Sequence, residues 1–110
     1  MGAAETVSLP EVEQETTPKR QPRYNVVLLD DDDHTYDYVI RMLGELFAYG
    51  VEKAYELACE VDKAKRVIVL TTTFEHGELK QEQIHAFGVD PLITHCKGSM
   101  SAILEPAIDA

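Results

Sequence analysis

The stretch YNVVLLDDDDHTYDYV, residues 24–39, decides how this chain is read. Residues 24–29 are apolar and rich in branched side chains, which predicts a strand. Four consecutive aspartates follow, Asp30 to Asp33. Tyr36, Val39, Ile40, Leu43, Leu46 and Phe47 then recur at spacings of three and four, which predicts an amphipathic helix. Carboxylates near a helix start are stabilised by the helix dipole by about 0.3–1 kcal/mol each. Capping explains one or two of them, and Asp33 is the natural choice. Four in a row repel one another, so part of the run points to a binding role and a cationic ligand.

Working outward, Gly44 weakens the first helix by roughly 1 kcal/mol relative to alanine, and Gly50 is the expected left-handed stop. A second helix is expected from Val51 to about Asp62, with Val51, Ala54, Tyr55, Ala58 and Val61 on its apolar face. Glu52, Glu56 and Glu60 form its solvated side. Residues 66–72, RVIVLTT, predict the second strand. Thr72 and Glu75 have capping-box spacing for a third helix over about 74–87, carrying Leu79, Ile84 and Phe87, with Gly88 as its stop. Gly77 weakens its first turn. Residues 89–98 read as a loop containing Asp90-Pro91, and residues 100–104 as the last strand. The order β-α-α-β-α-β lacks regular βαβ alternation. It predicts an α+β fold: a three-stranded antiparallel sheet with three helices packed on one face.

The chain has 110 residues and a net charge of −10, enough for one small domain. Residues 1–23 hold three of the five prolines and no aromatic residue, the composition of a flexible N-terminal extension. The core domain is expected over residues 24–107. Residues 24–110 carry seven basic against sixteen acidic side chains, so the acidity belongs to the folded part. Nucleic acid and anionic membranes reward clustered Lys and Arg and are not expected partners. No run is long and apolar enough for a membrane span. The acidic N-terminus lacks the features of a signal peptide. A cytoplasmic monomer is expected. Cys59 and Cys96 suggest no disulfide framework, and Cys59 reads as a small buried thiol.

A phosphoacceptor receiver domain also starts with an apolar strand ending in paired aspartates, but it needs five βα units and a later strand ending in Asp. Here the second strand ends in Leu70-Thr71-Thr72-Thr73. The aspartate run lacks the spacing and glycine of an EF-hand loop. His34, His76, His85 and His95 match no metal signature. No nucleophile set or phosphate-cradling loop stands out. The expectation is a non-enzyme with no cofactor and no metal. Asp62 is an anomaly, a carboxylate at the negative end of the second helix. Pairing with Lys63, Lys65 or Arg66 explains it blandly. A place in a cation site explains it more sharply.

Residues 24–87 resemble ClpS, the adaptor family that brings N-degron substrates to the Clp AAA+ protease. The likeness rests on the apolar strand, on Leu29-Asp30-Asp31-Asp32-Asp33-His34-Thr35-Tyr36-Asp37-Tyr38-Val39, on Tyr49-Gly50-Val51-Glu52-Lys53-Ala54, and on residues 73–80. The resemblance implies an adaptor without catalytic activity that binds the free α-amino group and the first side chain of its substrate. By position, Asp30, Asp31 and Asp62 would face the amino group, with Asp32 and His34 near the peptide backbone. Tyr36, Val39, Ala58, Val61 and Met100 would wall the side-chain pocket. Glu75 and Lys80 would dock on the N-domain of an AAA+ unfoldase, and residues 1–23 would be the extension that the unfoldase engages. Several positions depart from the family. Its Asn is Asp30, its site His is Asp62, its Thr-Pro is His34-Thr35, and two of its pocket Met residues are Tyr36 and Ala58. Three carboxylates exceed the charge of one ammonium, which suggests a basic first residue or a metal ion as ligand. The alternatives are a docking or regulatory module of the same fold that has lost N-degron binding, and a small metal-binding protein.

Overall fold

A computed structural model describes residues 22–31 and 33–108. Asp32 and residues 1–21, most of the expected extension, lie outside the described residues. The elements run β1 (Arg23–Leu29), α1 (Tyr36–Phe47), α2 (Val51–Ala64), β2 (Arg66–Thr73), α3 (Phe74–His85) and β3 (Ser101–Pro106). This is the expected order. The three strands form one antiparallel sheet in the order β2-β1-β3, with β1 at its centre because it is the most apolar strand.

Val26 and Leu28 of β1 face the helices and join one core with Val67 and Val69 of β2, Ala102 of β3, and Val39, Met42, Leu43, Ala54, Ala58, Val61 and Ile84 of the helices. Burying a large aliphatic side chain contributes roughly 1.5–3 kcal/mol, so this layer holds the fold together. A bulge in the β1–β2 pairing between Val26 and Val27 keeps this face in phase. On the opposite face, Val27 pairs with Ile68 and Ile103. Arg66 and Glu105 form an ion pair there, and the strand register carries it across Val27, which is fully buried. Both sheet edges are attended by side chains. Ala102 of β3 donates its N–H to His85 Nε2 at 3.0 Å and accepts from Gln81 Nε2 at 2.9 Å. The Tyr49 hydroxyl donates to the Val69 carbonyl of β2 at 2.6 Å.

Several local expectations change. The left-handed stop of α1 is Ala48, with φ 58°, and Gly50 is the N-cap of α2. The stripe of α1 is rotated: Tyr38, Val39, Met42 and Leu43 are buried, while Tyr36 is 37 % exposed. Tyr38 goes inward because its hydroxyl finds the Gly88 carbonyl at 2.6 Å, which removes the cost of burying it. Val51 and Tyr55 of α2 and Leu79 of α3 are exposed, so the α2 core face is the narrower Ala54, Ala58, Val61 strip. The cap of α3 is Thr73, whose side chain accepts from the His76 N–H, in place of Thr72. Gly77 is buried, and a Cβ there would meet a Leu104 methyl at 3.2 Å. Glycine thus lets α3 lie close to the sheet.

Candidate functional site

The end of β1, the start of α1 and the end of α2 meet at one corner of the molecule. Each element reaches it for a local reason. Chain reversal after Leu29 is fixed by the Asp30 N–H donating to the Lys65 carbonyl at 3.0 Å, which ties β1 to the left-handed turn after α2. Asp31 accepts from the Asp33 N–H at 2.9 Å, an Asx-type turn. Thr35 then caps α1, its side chain accepting from the Tyr38 N–H at 3.2 Å. Thr35 displaces Asp33 from the capping role. The Asp33 carboxylate instead lies 3.6 Å from His95.

Each proposed amino-group ligand has a partner inside the chain. Asp30 Oδ2 lies 3.5 Å from Lys65 Nζ. Asp31 Oδ1 lies 2.6 Å from His34 Nδ1. Asp62 Oδ2 accepts from the Tyr36 hydroxyl at 2.7 Å. Hydrogen bonding to Asp62 holds the Tyr36 phenol well above its ordinary range. The Tyr36 ring also lies 5.9 Å from that of Tyr55, and Cys59 sits beside both hydroxyls. Cys59 is partly exposed rather than fully buried.

Of the expected pocket walls, Val39, Ala58, Val61 and Met100 are 1–4 % exposed and lie in one buried cluster. Tyr36 stands at its rim. His34 is folded inward, its side chain 3 % exposed, with Nε2 at 2.7 Å from the Gly98 carbonyl. Glu75 is exposed in the first turn of α3. Lys80 lies over the Phe47 ring at 5.2 Å and donates to the Leu46 carbonyl. Among the described residues, no three His, Cys, Asp or Glu side chains are grouped so as to hold a metal ion, and no helix is long and apolar enough to cross a membrane.

The loop after α3 contributes residues that sequence reasoning passed over. Asp90 is 1 % exposed. Its Oδ2 accepts from the Thr35 N–H at 2.6 Å and the Thr35 hydroxyl at 2.8 Å, and its Oδ1 accepts from the Leu92 N–H at 2.9 Å. Burial pushes its carboxyl up. The Thr35 and Leu92 N–H groups, the Thr35 hydroxyl and the nearby His34 outweigh this, leaving it below the ordinary value. Cys96 Sγ lies 3.5 Å from His34 Nε2. Nothing in the Asp90-Pro91 dipeptide marks it as more than a turn.

The arrangement is an acidic rim beside a closed apolar floor. The family described as "ATP-dependent Clp protease adaptor protein ClpS" matches residues 19–92. An adaptor ClpS of Vibrio atlanticus is 36 % identical over 74 residues, covering 66 % of this chain and 70 % of that protein. One of Thermosynechococcus vestitus is 30 % identical over 82 residues, covering 74 % of this chain and 87 % of that one. The structure of Agrobacterium tumefaciens ClpS2 bound to L-phenylalaninamide superposes with a TM-score of 0.69 at 19 % identity, covering 80 % of this chain and all of that one. The chain belongs to the ClpS family of adaptors of the ATP-dependent Clp protease.

Proposed function

We propose that this chain binds the free α-amino group and first side chain of N-degron proteins and hands them to the AAA+ unfoldase of a Clp protease in the cytoplasm. The supporting observation is the state of the three carboxylates. Lys65 faces Asp30 and His34 faces Asp31, whereas among the described residues Asp62 meets the Tyr36 hydroxyl and no Lys, Arg or His. A carboxylate without a cationic partner suits one ammonium, and charge-assisted hydrogen bonds of this kind are short and strong. The acid that suggested a basic first residue or a metal ion is met in part from within, by Lys65. An uncharged, apolar first side chain then suits Val39, Ala58, Val61 and Met100. L-phenylalaninamide, the ligand of the Agrobacterium protein, has both features, a free amine and an apolar side chain. Glu75 and Lys80 are assigned to docking on the unfoldase N-domain, and residues 1–23 to engagement by it.

Titration calorimetry with L-phenylalaninamide and with N-acetyl-L-phenylalaninamide tests the reading. Binding of the first and loss on acetylation are expected. Equal binding of the two, or of neither, removes it. The second reading, a docking module without N-degron binding, draws on the Tyr36–Asp62 bond and the closed floor. It predicts binding of neither compound with unfoldase docking intact.

A further inference from the structure

A groove of about 360 Å³ lies between the α1–α2 turn, β2 and α3. Its apolar lining is Leu46, Phe47, Tyr49 and Leu70, and its charged members are Lys80 and Glu45. Phe47 and Tyr49 stack at 5.5 Å between centroids, and both are half-buried. An ammonium stands over each ring: Lys80 Nζ is 5.2 Å from the Phe47 centroid, and Lys53 Nζ is 4.1 Å from that of Tyr49. Among the described residues, neither lysine has a carboxylate within ion-pair distance.

The chain carries a segment of complementary chemistry. Residues 5–15, ETVSLPEVEQE, hold four glutamates and no basic residue, with Val7, Leu9 and Val12 set among them. Residues 24–110 carry sixteen acidic against seven basic side chains, so most of the domain surface repels such a segment. The aromatic groove with its two ammoniums offers it apolar contact and opposite charge together.

The tether has the right length. The sheet begins at Arg23, which pairs with Thr73 at the end of β2. Leu70 lies three residues back along β2, roughly 10 Å at the rise of a strand. Leu9 is fourteen residues before Arg23, and a coil of that length spans about 20 Å on average. A tether matched to its span gives a local concentration on the order of millimolar, so a contact of modest strength suffices.

We propose that residues 5–15 dock in this groove, with Leu9 against the Phe47–Tyr49 pair and Glu11 and Glu13 toward Lys80 and Lys53. A partner that docks through Lys80 then has to displace the segment. The proposal depends neither on amine binding nor on unfoldase docking.

The test mixes isotope-labelled and unlabelled full chain, joins carboxylates to amines with a water-soluble carbodiimide, and sorts the linked peptides by mass. Links from Glu11 and Glu13 to Lys80 and Lys53 are expected within one chain, about tenfold above links to the exposed Lys63 and Lys97. Leu9→Ser changes no residue of the core and is expected to remove most of that excess, because burying one leucine is worth about tenfold or more in an equilibrium constant. Equal yields at the four lysines, or none, overturn the proposal. So does an excess that Leu9→Ser leaves unchanged, which is the mark of the tether alone. Links that join labelled to unlabelled chains in place of links within one chain also overturn it, and give the groove to a second copy.

Discussion

The Tyr36 hydroxyl donates a 2.7 Å hydrogen bond to Asp62 Oδ2, joining the first residue of α1 to the end of α2. Under the proposed function, an incoming ammonium would compete for the same carboxylate. A hydrogen bond to a charged group contributes a net 1.5–3 kcal/mol or so. Tyr36→Phe keeps the ring and removes the competitor. Its expected effect is tighter binding of L-phenylalaninamide, by about tenfold, measured by calorimetry. Unchanged or weaker binding would show that Tyr36 assists the ligand rather than competing with it.

The residues proposed for amine binding and those proposed for unfoldase docking sit on different elements, so the two functions should separate. Asp62→Asn removes the carboxylate proposed to meet the ammonium and is expected to weaken L-phenylalaninamide binding by about tenfold or more. Glu75 is exposed on α3. Glu75→Lys is expected to abolish binding to the unfoldase N-domain, leave amine binding intact and move stability by no more than about 0.5 kcal/mol. Loss of both bindings in either variant contradicts the division.

Asp90 ties the loop after α3 to the start of α1. Removing its three accepted hydrogen bonds by Asp90→Ala is expected to cost about 2–3 kcal/mol, read from urea unfolding at neutral pH. A cost under about 0.5 kcal/mol would place Asp90 with ordinary surface residues.

The same residue sets a pH dependence. Its folded pKa is lowered from 3.8. The stability it contributes is therefore fully present above the unfolded value and is lost as pH falls through the folded one. The gap in unfolding free energy between the native chain and Asp90→Asn should stay constant from neutrality to about pH 5 and narrow below that. A gap that widens on acidification reverses the assigned sign.

Gly77 lies between α3 and the sheet, with Leu104 and Val26 methyls 3.2 and 3.5 Å from where a Cβ would be. Alanine gains helix propensity of about 1 kcal/mol and needs Leu104 to shift slightly, so Gly77→Ala should be close to neutral. Gly77→Val adds branches into the same space and should cost roughly 1–3 kcal/mol, seen as a lower melting temperature. A neutral valine would show that α3 can move off the sheet.

Strands and helices were legible because their signals are local and periodic. The first strand showed in the unbroken apolar run Val26–Val27–Leu28, the first two helices in recurrence at three and four, and the third in its Thr-x-x-Glu start. Helix faces were less legible. Tyr36 and Tyr38 are chemically alike, and only the Gly88 carbonyl, fifty residues on, decides that Tyr38 goes inward. The acidic corner showed in the sequence as an excess of charge, and the resemblance to ClpS added Asp62. Its internal pairing did not show, because Lys65 is one of several surface lysines and His34 one of four scattered histidines. Asp90 belongs to an aperiodic loop, and its role arises from contacts with Thr35 across 55 residues. Pattern reading carries no signal at that range.

The bonds that His85 and Gln81 make to Ala102 decide how this small sheet meets other chains. An extended segment approaching β3 finds the outward N–H and carbonyl of Ala102 already spent, and one approaching β2 finds Tyr49 on the Val69 carbonyl. Each border of the sheet thus has a pairing position taken from within, which weakens edge-to-edge addition of a second copy. That safeguard matters for a protein with branched side chains on the uncovered sheet face.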